Sequence, residues 1–149
     1  MSVDKSAEVR DHFVYRLFDA NERLLYVGCT RRLDKRYAEH RTDKPLMIAA
    51  TARIYLQGPF TRTKARAVER FAICTESPFI GWTPEKQEVS TARSRWMKSR
   101  IAELTASGTE VIAAIYQAGD EVDLVIPDPR ADEYRFLSGE LSLIAGGAA

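Results

Sequence analysis

Two tyrosines, Tyr15 and Tyr26, are followed by Arg36 and His40, and much later by Glu69. These residue types suit hydrolysis of a phosphodiester. A guanidinium can give two parallel hydrogen bonds to phosphate oxygens and stabilise charge that builds up in the transition state. A carboxylate can hold a hard divalent ion that keeps several of its waters and acts as a Lewis acid on the leaving oxygen. A phenol can serve as general base only where nearby cations favour its ionised form or where a proton chain passes through it, because its ordinary pKa is near 10. Arg36 and His40 are placed in the sequence to provide such neighbours.

The elements that must position these groups follow from periodicity. Phe13 to Phe18 alternates and Leu24 to Val27 is apolar, so both read as strands, and the polar Asp19-Ala20-Asn21-Glu22 between them reads as a tight turn. With the turn centred on Ala20-Asn21, Tyr15 would face Tyr26 and Leu17 would face Leu24, placing both phenols on one face of the sheet. A slip of one residue would send one phenol to the other face. Gly28 would then end the second strand where close approach of the backbone to a ligand is needed. Thr30 would cap a helix running to about Arg41, on which Leu33, Arg36, Tyr37 and His40 fall at i, i+3, i+4 and i+7. A cation and an imidazole on the inward stripe of a helix need a partner, because unpaired burial of charge is costly. A phosphate would be one.

This arrangement resembles the GIY-YIG nuclease domain. Tyr15 matches the tyrosine of the first triplet, Tyr26 and Gly28 match the second, and Leu33-x-x-Arg36-x-x-x-His40 matches the first-helix pattern. The stretch Ala65 to Ile73 with Pro78 resembles the helix that carries the metal-binding glutamate, here Glu69. The resemblance covers roughly Phe13 to Gly81 and implies a DNA endonuclease using one Mg²⁺ or Mn²⁺ ion and leaving a 5′-phosphate and a 3′-hydroxyl; RNA is the less favoured substrate. It implies water activation by Tyr15 with Tyr26 as partner, or the reverse, charge stabilisation by Arg36, an orienting role for His40 and metal ligation by Glu69. Two positions depart from the pattern. Cys29 stands where a polar residue is common, with Arg31 or Arg32 able to supply the missing charge, and Gly81 stands where an asparagine is common, with Trp82 or Thr83 as possible substitutes.

Each residue also has a plain structural reading. Strand tyrosines are common as half-buried aromatics, an inward histidine is usually a satisfied core residue, and Arg36 could pair with Glu69 or Glu39. Their order and spacing together favour the site. The alternative is a catalytically inactive nucleic-acid-binding module of the same fold, and a third class is a structural interaction protein that would bind DNA weakly and without salt dependence.

The net charge is only +1, but it is unevenly distributed. Residues 1–100 hold 20 Lys and Arg against 12 Asp and Glu, whereas residues 101–149 hold 2 against 9. Basic charge therefore gathers where the resemblance lies, as phosphate attraction requires. No run reaches the apolar length of a transmembrane helix, the polar start of the chain lacks a signal-peptide core, and two cysteines make neither a disulfide framework nor a metal-site spacing. A cytoplasmic protein is expected.

The fold class expected is α+β: a small three-stranded antiparallel sheet flanked by helices. Asp43 to Ala50 reads as a short helix opening at Pro45, Thr51 to Leu56 as the third strand ended by Gln57-Gly58-Pro59, and Thr61 or Thr63 as the cap of the Glu69 helix. Residues 1–82 would form the nuclease-like domain, with 83–149 an extension packed on it. That extension would begin with a helix from Thr83-Pro84-Glu85 to about Ala106, with Val89, Trp96, Ile101 and Leu104 inward. Along it Lys86, Arg93 and Arg100 recur at seven-residue spacing, either as a stripe that tracks a nucleic-acid backbone, beside Gly28, Arg31 and Arg32, or as a solvated face. Glu110 to Gln117 and Glu121 to Ile126 flank Ala118-Gly119-Asp120 and read as a second hairpin, and the final Ala145 to Ala149 as a flexible tail.

Overall fold

In the computed structural model, which describes residues 8–142, β1 (His12–Phe18) lies at the centre of a three-stranded antiparallel sheet between β2 (Leu24–Thr30) and β3 (Arg53–Phe60). The hairpin register is shifted by two residues from the simple turn. Tyr15 pairs with Gly28 and Leu17 with Tyr26, and a bulge follows, so that Phe18 meets Leu24. The cause is Asp19, whose buried carboxylate accepts from the backbone N–H of Asn21 and Arg23 at 2.9 Å each and from Arg23 Nε at 3.0 Å. Its side chain organises a loop longer than a two-residue turn. Because side chains alternate with period two, a shift of two leaves both phenols on the same face. They meet diagonally, with ring centroids 6.0 Å apart.

Both faces of the sheet are covered. Tyr15, Leu17, Leu25, Met47 and Ile80 form one core cluster, to which α1 (Leu33–Asp43) contributes Leu33 and Tyr37, and α2 (Pro45–Ala50) contributes Met47. Val14 and Val27 meet Ala65 and Ala72 of α3 (Arg62–Glu76) on the other side. Small residues at these α3 positions let the helix approach the sheet closely. Thr61 caps α3 by accepting from the Lys64 N–H at 3.2 Å. At the far end the Arg16 guanidinium on β1 makes hydrogen bonds of 2.7–3.0 Å to the Glu76 carboxylate.

Two local readings change. β3 continues through Pro59 to Phe60, which an edge strand permits. The α1 helix begins at Leu33, not at a Thr30 cap; Thr30 Oγ1 instead accepts from the Arg32 N–H at 3.0 Å.

Packing divides the chain into two units, one ending at Gly81 and resuming at Arg135, the other spanning Trp82–Tyr134. The second unit pairs α4 (Pro84–Ala106) with α5 (Val111–Val125) and contains the start of α6 (Ala131–Leu137). Thr83 caps α4, and Leu104 is its buried residue, with Val89, Trp96 and Ile101 only half-buried. The expected second hairpin does not form: Glu110 to Ile126 is occupied by α5. Ala114, Ala118 and Val122, at helical spacing, are its buried residues. Glu110 caps it by accepting from the Ala113 N–H at 3.1 Å. Small side chains packed against α4 outweigh the β-preference of the branched residues, and a Cβ on Gly119 would meet nothing. The expected tail, Ala145 to Ala149, lies outside the described residues.

Candidate active site

The inward stripe of α1 puts Leu33, Arg36, Tyr37 and His40 toward the sheet, with Asp34 and Lys35 exposed. This brings Arg36 and His40 to the face that carries the two phenols. Tyr15 is 1% exposed, and its hydroxyl lies 2.7 Å from His40 Nε2. Tyr26 is half-buried, and its ring meets His40 edge-on with centroids 4.9 Å apart. Arg36 donates to Glu39 at 2.8 Å and lies near enough to both phenols for its charge and theirs to interact. A guanidinium can only donate. With His40 neutral, the Tyr15 hydroxyl can donate to the Nε2 lone pair.

The electrostatics agree with that assignment. Burial pushes His40 down to about 4, helped by the positive charges of Arg36 and Lys44 and opposed by Glu39 and Asp43. Burial also raises Tyr15 above the usual tyrosine range, and the neighbouring Tyr26 adds to this, while Arg36 pulls the other way. The Glu39 contact chiefly raises the already high affinity of Arg36 for its proton. At neutral pH the inner groups are a phenol, a neutral imidazole and a guanidinium.

Gly28 is required by Tyr15 itself. A Cβ on Gly28 would lie 2.4 Å from the Tyr15 hydroxyl oxygen, so the close approach inferred from the sequence is made by the tyrosine ring.

Glu69 projects from α3 and is half-buried. Its carboxylate lies near the Cys29 thiol, and its charge reaches both that thiol and Tyr15. Burial first, then Glu69, pushes the Cys29 thiol up to about 12, against the lowering influence of Arg66 and Arg36. No Lys or Arg forms an ion pair with Glu69 among the described residues. Nor do those residues gather three or more His, Cys, Asp or Glu side chains as a metal cluster.

Cys29, Arg31, Arg32 and Arg36 line an open cavity of about 510 Å³, together with His12, Thr30, Lys35, Glu39, Arg62 and Arg66. Lys35, Arg62 and Arg66 were not singled out from the sequence. The available signal was the i, i+4 spacing of Arg62 and Arg66, but nothing local says that they face the residues after β2.

The α4 cations are placed differently from an open stripe. Lys86 Nζ lies 3.4 Å from the buried Glu133, Arg93 contacts Asp123 at 2.7 Å and the Ile126 carbonyl, and Arg100 pairs with Glu121 at 2.6 Å. They hold the second unit together. Of the suggested substitutes for an asparagine at Gly81, Thr83 is buried and engaged as the α4 cap, and Arg130 lies over the Trp82 ring at 4.9 Å.

One sheet face thus carries two phenols with an arginine and a histidine from α1, while Glu69 comes from α3, which covers the other face. Residues 11–83 match the family model described as the GIY-YIG catalytic domain, and this segment belongs to that nuclease family. Neither a curated protein nor a solved structure gave a significant match. No helix among the described residues is long and apolar enough to cross a membrane.

Proposed function

We propose that the chain is a divalent-metal-dependent DNA endonuclease whose working residues are Tyr15, Tyr26, Arg36, His40 and Glu69. The observation that carries this reading is the buried Tyr15 hydroxyl 2.7 Å from His40, on the face that also carries Tyr26 and Arg36, with the charge of Glu69 reaching Tyr15 from α3. A half-buried carboxylate with no ion pair among the described residues fits a single hard cation that keeps most of its waters. Glu69 would hold Mg²⁺ or Mn²⁺. When bound, the ion supplies Lewis-acid stabilisation of the leaving oxygen.

The chain's own groups divide the remaining work. Arg36 binds non-bridging phosphate oxygens and keeps both phenols oriented. Burial separates the tyrosines: Tyr15 is the inner phenol, its hydroxyl held by His40, and Tyr26 is the outer one, placed to meet the attacking water. Neutral His40 orients Tyr15 through that hydrogen bond. Gly28 leaves room for Tyr15, while Arg31 and Arg32 contact DNA at the cavity. The ion pairs of Lys86, Arg93 and Arg100 argue for a structural role in place of the DNA-tracking one. The proposal includes a cytoplasmic setting, in keeping with two free cysteines.

The test is cleavage of plasmid and of linear duplex in Mg²⁺. Wild type cuts, Glu69→Gln does not cut yet still binds DNA, and Arg36→Lys, which keeps the charge but loses the planar fork, cuts about 100-fold more slowly. Undiminished cutting by Glu69→Gln removes the metal assignment. The alternative of an inactive binding module is favoured by Gly81, where no side chain occupies the position and an added Cβ would meet nothing within 4 Å. It predicts binding without cleavage by wild type in every divalent metal.

A further inference from the structure

The cavity holds more positive charge than phosphodiester hydrolysis itself requires. Arg36 is engaged by Glu39 and lies near both phenols. Arg31, Lys35, Arg62 and Arg66 also line the cavity. None of these four has a carboxylate within ion-pair distance among the described residues. What sets them apart from the chain's other arginines without an ion pair, such as Arg41 and Arg70, is that they share one cavity. Arg62 and Arg66 are one turn apart on α3 and both exposed, and therefore point to the same side of that helix. Arg31 and Lys35 come from the other direction, at the start of α1. His12 closes the α3 side, its ring anchored by Asp11 at 2.7 Å.

We propose that Arg62 and Arg66 form a second phosphate-binding wall, gripping a backbone phosphate next to the scissile one on the same strand, opposite Arg31 and Lys35. This rests on reading the cavity as a nuclease groove. The wall's charge is what a nucleic-acid backbone neutralises: each phosphate bound releases condensed counterions, and mutual repulsion among the four cations is relieved at the same time. The lining also indicates which part of DNA enters. Apart from His12 it contains no Asn, Gln or aromatic side chain, the groups that most often read adenine edges or stack on bases. It consists of phosphate donors, with Thr30, Cys29 and Glu39 between them. At about 510 Å³ the cavity is the size of an ordinary small-ligand site, enough for a short run of sugar and phosphate with the rest of the duplex across its mouth. Contacts of this wall to phosphates position the duplex without reading its sequence.

The test is fluorescence anisotropy of a labelled duplex in EDTA across a salt titration, followed by steady-state cleavage in Mg²⁺. Arg62→Gln/Arg66→Gln binds about tenfold or more weakly at 0.1 M salt, and its plot of log affinity against log salt is shallower by about one to two. In cleavage its KM rises more than its kcat falls, whereas Arg36→Lys shows the reverse. Wild type binds AT-rich and GC-rich duplexes with affinities within about twofold of each other. Unchanged affinity and salt slope in the double variant, with circular dichroism showing an intact fold, overturns the wall while leaving the nuclease reading standing. A tenfold preference of wild type for one sequence overturns backbone-only capture. A wild type that binds no duplex overturns both proposals.

Discussion

His40 should make this protein lose stability in mild acid, over a window set by its burial. Free in the unfolded chain, its imidazole titrates near 6.5; in the folded protein, burial and the charges of Arg36 and Lys44 hold it down to about 4. Between those values the unfolded chain binds a proton that the native one refuses, so stability rises with pH. The contribution is complete above 6.5, declines as pH falls through the window and is gone below 4. The full difference corresponds to about 3 kcal/mol, and between pH 7 and pH 5 to about 2 kcal/mol. Urea unfolding at pH 7, 6 and 5 measures it. His40→Gln provides the reference, because it cannot titrate while the carboxylates that also respond to acid remain in both proteins. Wild type should lose about 2 kcal/mol more than the variant over that interval. Its two histidines can also be followed by NMR, and His40 should remain neutral at pH 5. Parallel losses in the two proteins, or an imidazole titrating near 6.5 at position 40, would refute both the burial argument and the assignment of His40 as a neutral hydrogen-bond acceptor for Tyr15.

Gly28→Ala should destabilise the fold by about 2 kcal/mol and sharply reduce cleavage, since the new Cβ forces the Tyr15 ring off His40; urea unfolding and a plasmid assay read the two effects. Glu133→Gln should cost about 3 kcal/mol in the same unfolding measurement, because its 1% exposed carboxylate is the shared partner of Lys86 and Arg130. In EDTA at pH 8, iodoacetamide should label the exposed Cys74 well before Cys29, whose thiol is held up to about 12. Glu69→Gln should speed labelling of Cys29, as followed by peptide mass mapping, and no change would sever the proposed Glu69–Cys29 contact.

Much of the site was legible because its determinants are local. The period of Leu33, Arg36, Tyr37 and His40 defines one face of a helix whatever that helix packs against. Alternation in the strands put both phenols on one face, and this survived an error of two residues in register because side-chain direction depends only on parity. Thr61, Thr83 and Pro84 marked helix starts through hydrogen bonds that close within a single turn.

What tertiary structure decided were matters of partner and depth. The branched residues of 111–126 favour a strand when considered alone, but packing against α4 selects the face of Ala114, Ala118 and Val122 and makes a helix. Composition counted Lys86, Arg93 and Arg100 as basic charge available to DNA. Contacts with Glu133, Asp123 and Glu121, 21 to 47 residues away along the chain, engaged them elsewhere. The two tyrosines were interchangeable as a sequence pattern, and only burial distinguished an inner phenol from an outer one. Arg62 and Arg66 acquired meaning when the fold brought α3 opposite the start of α1 across one cavity. Periodicity and caps arise from neighbours along the chain and can be read from it. Which charges meet, and how much water remains around them, depends on residues distant in sequence that only folding brings together.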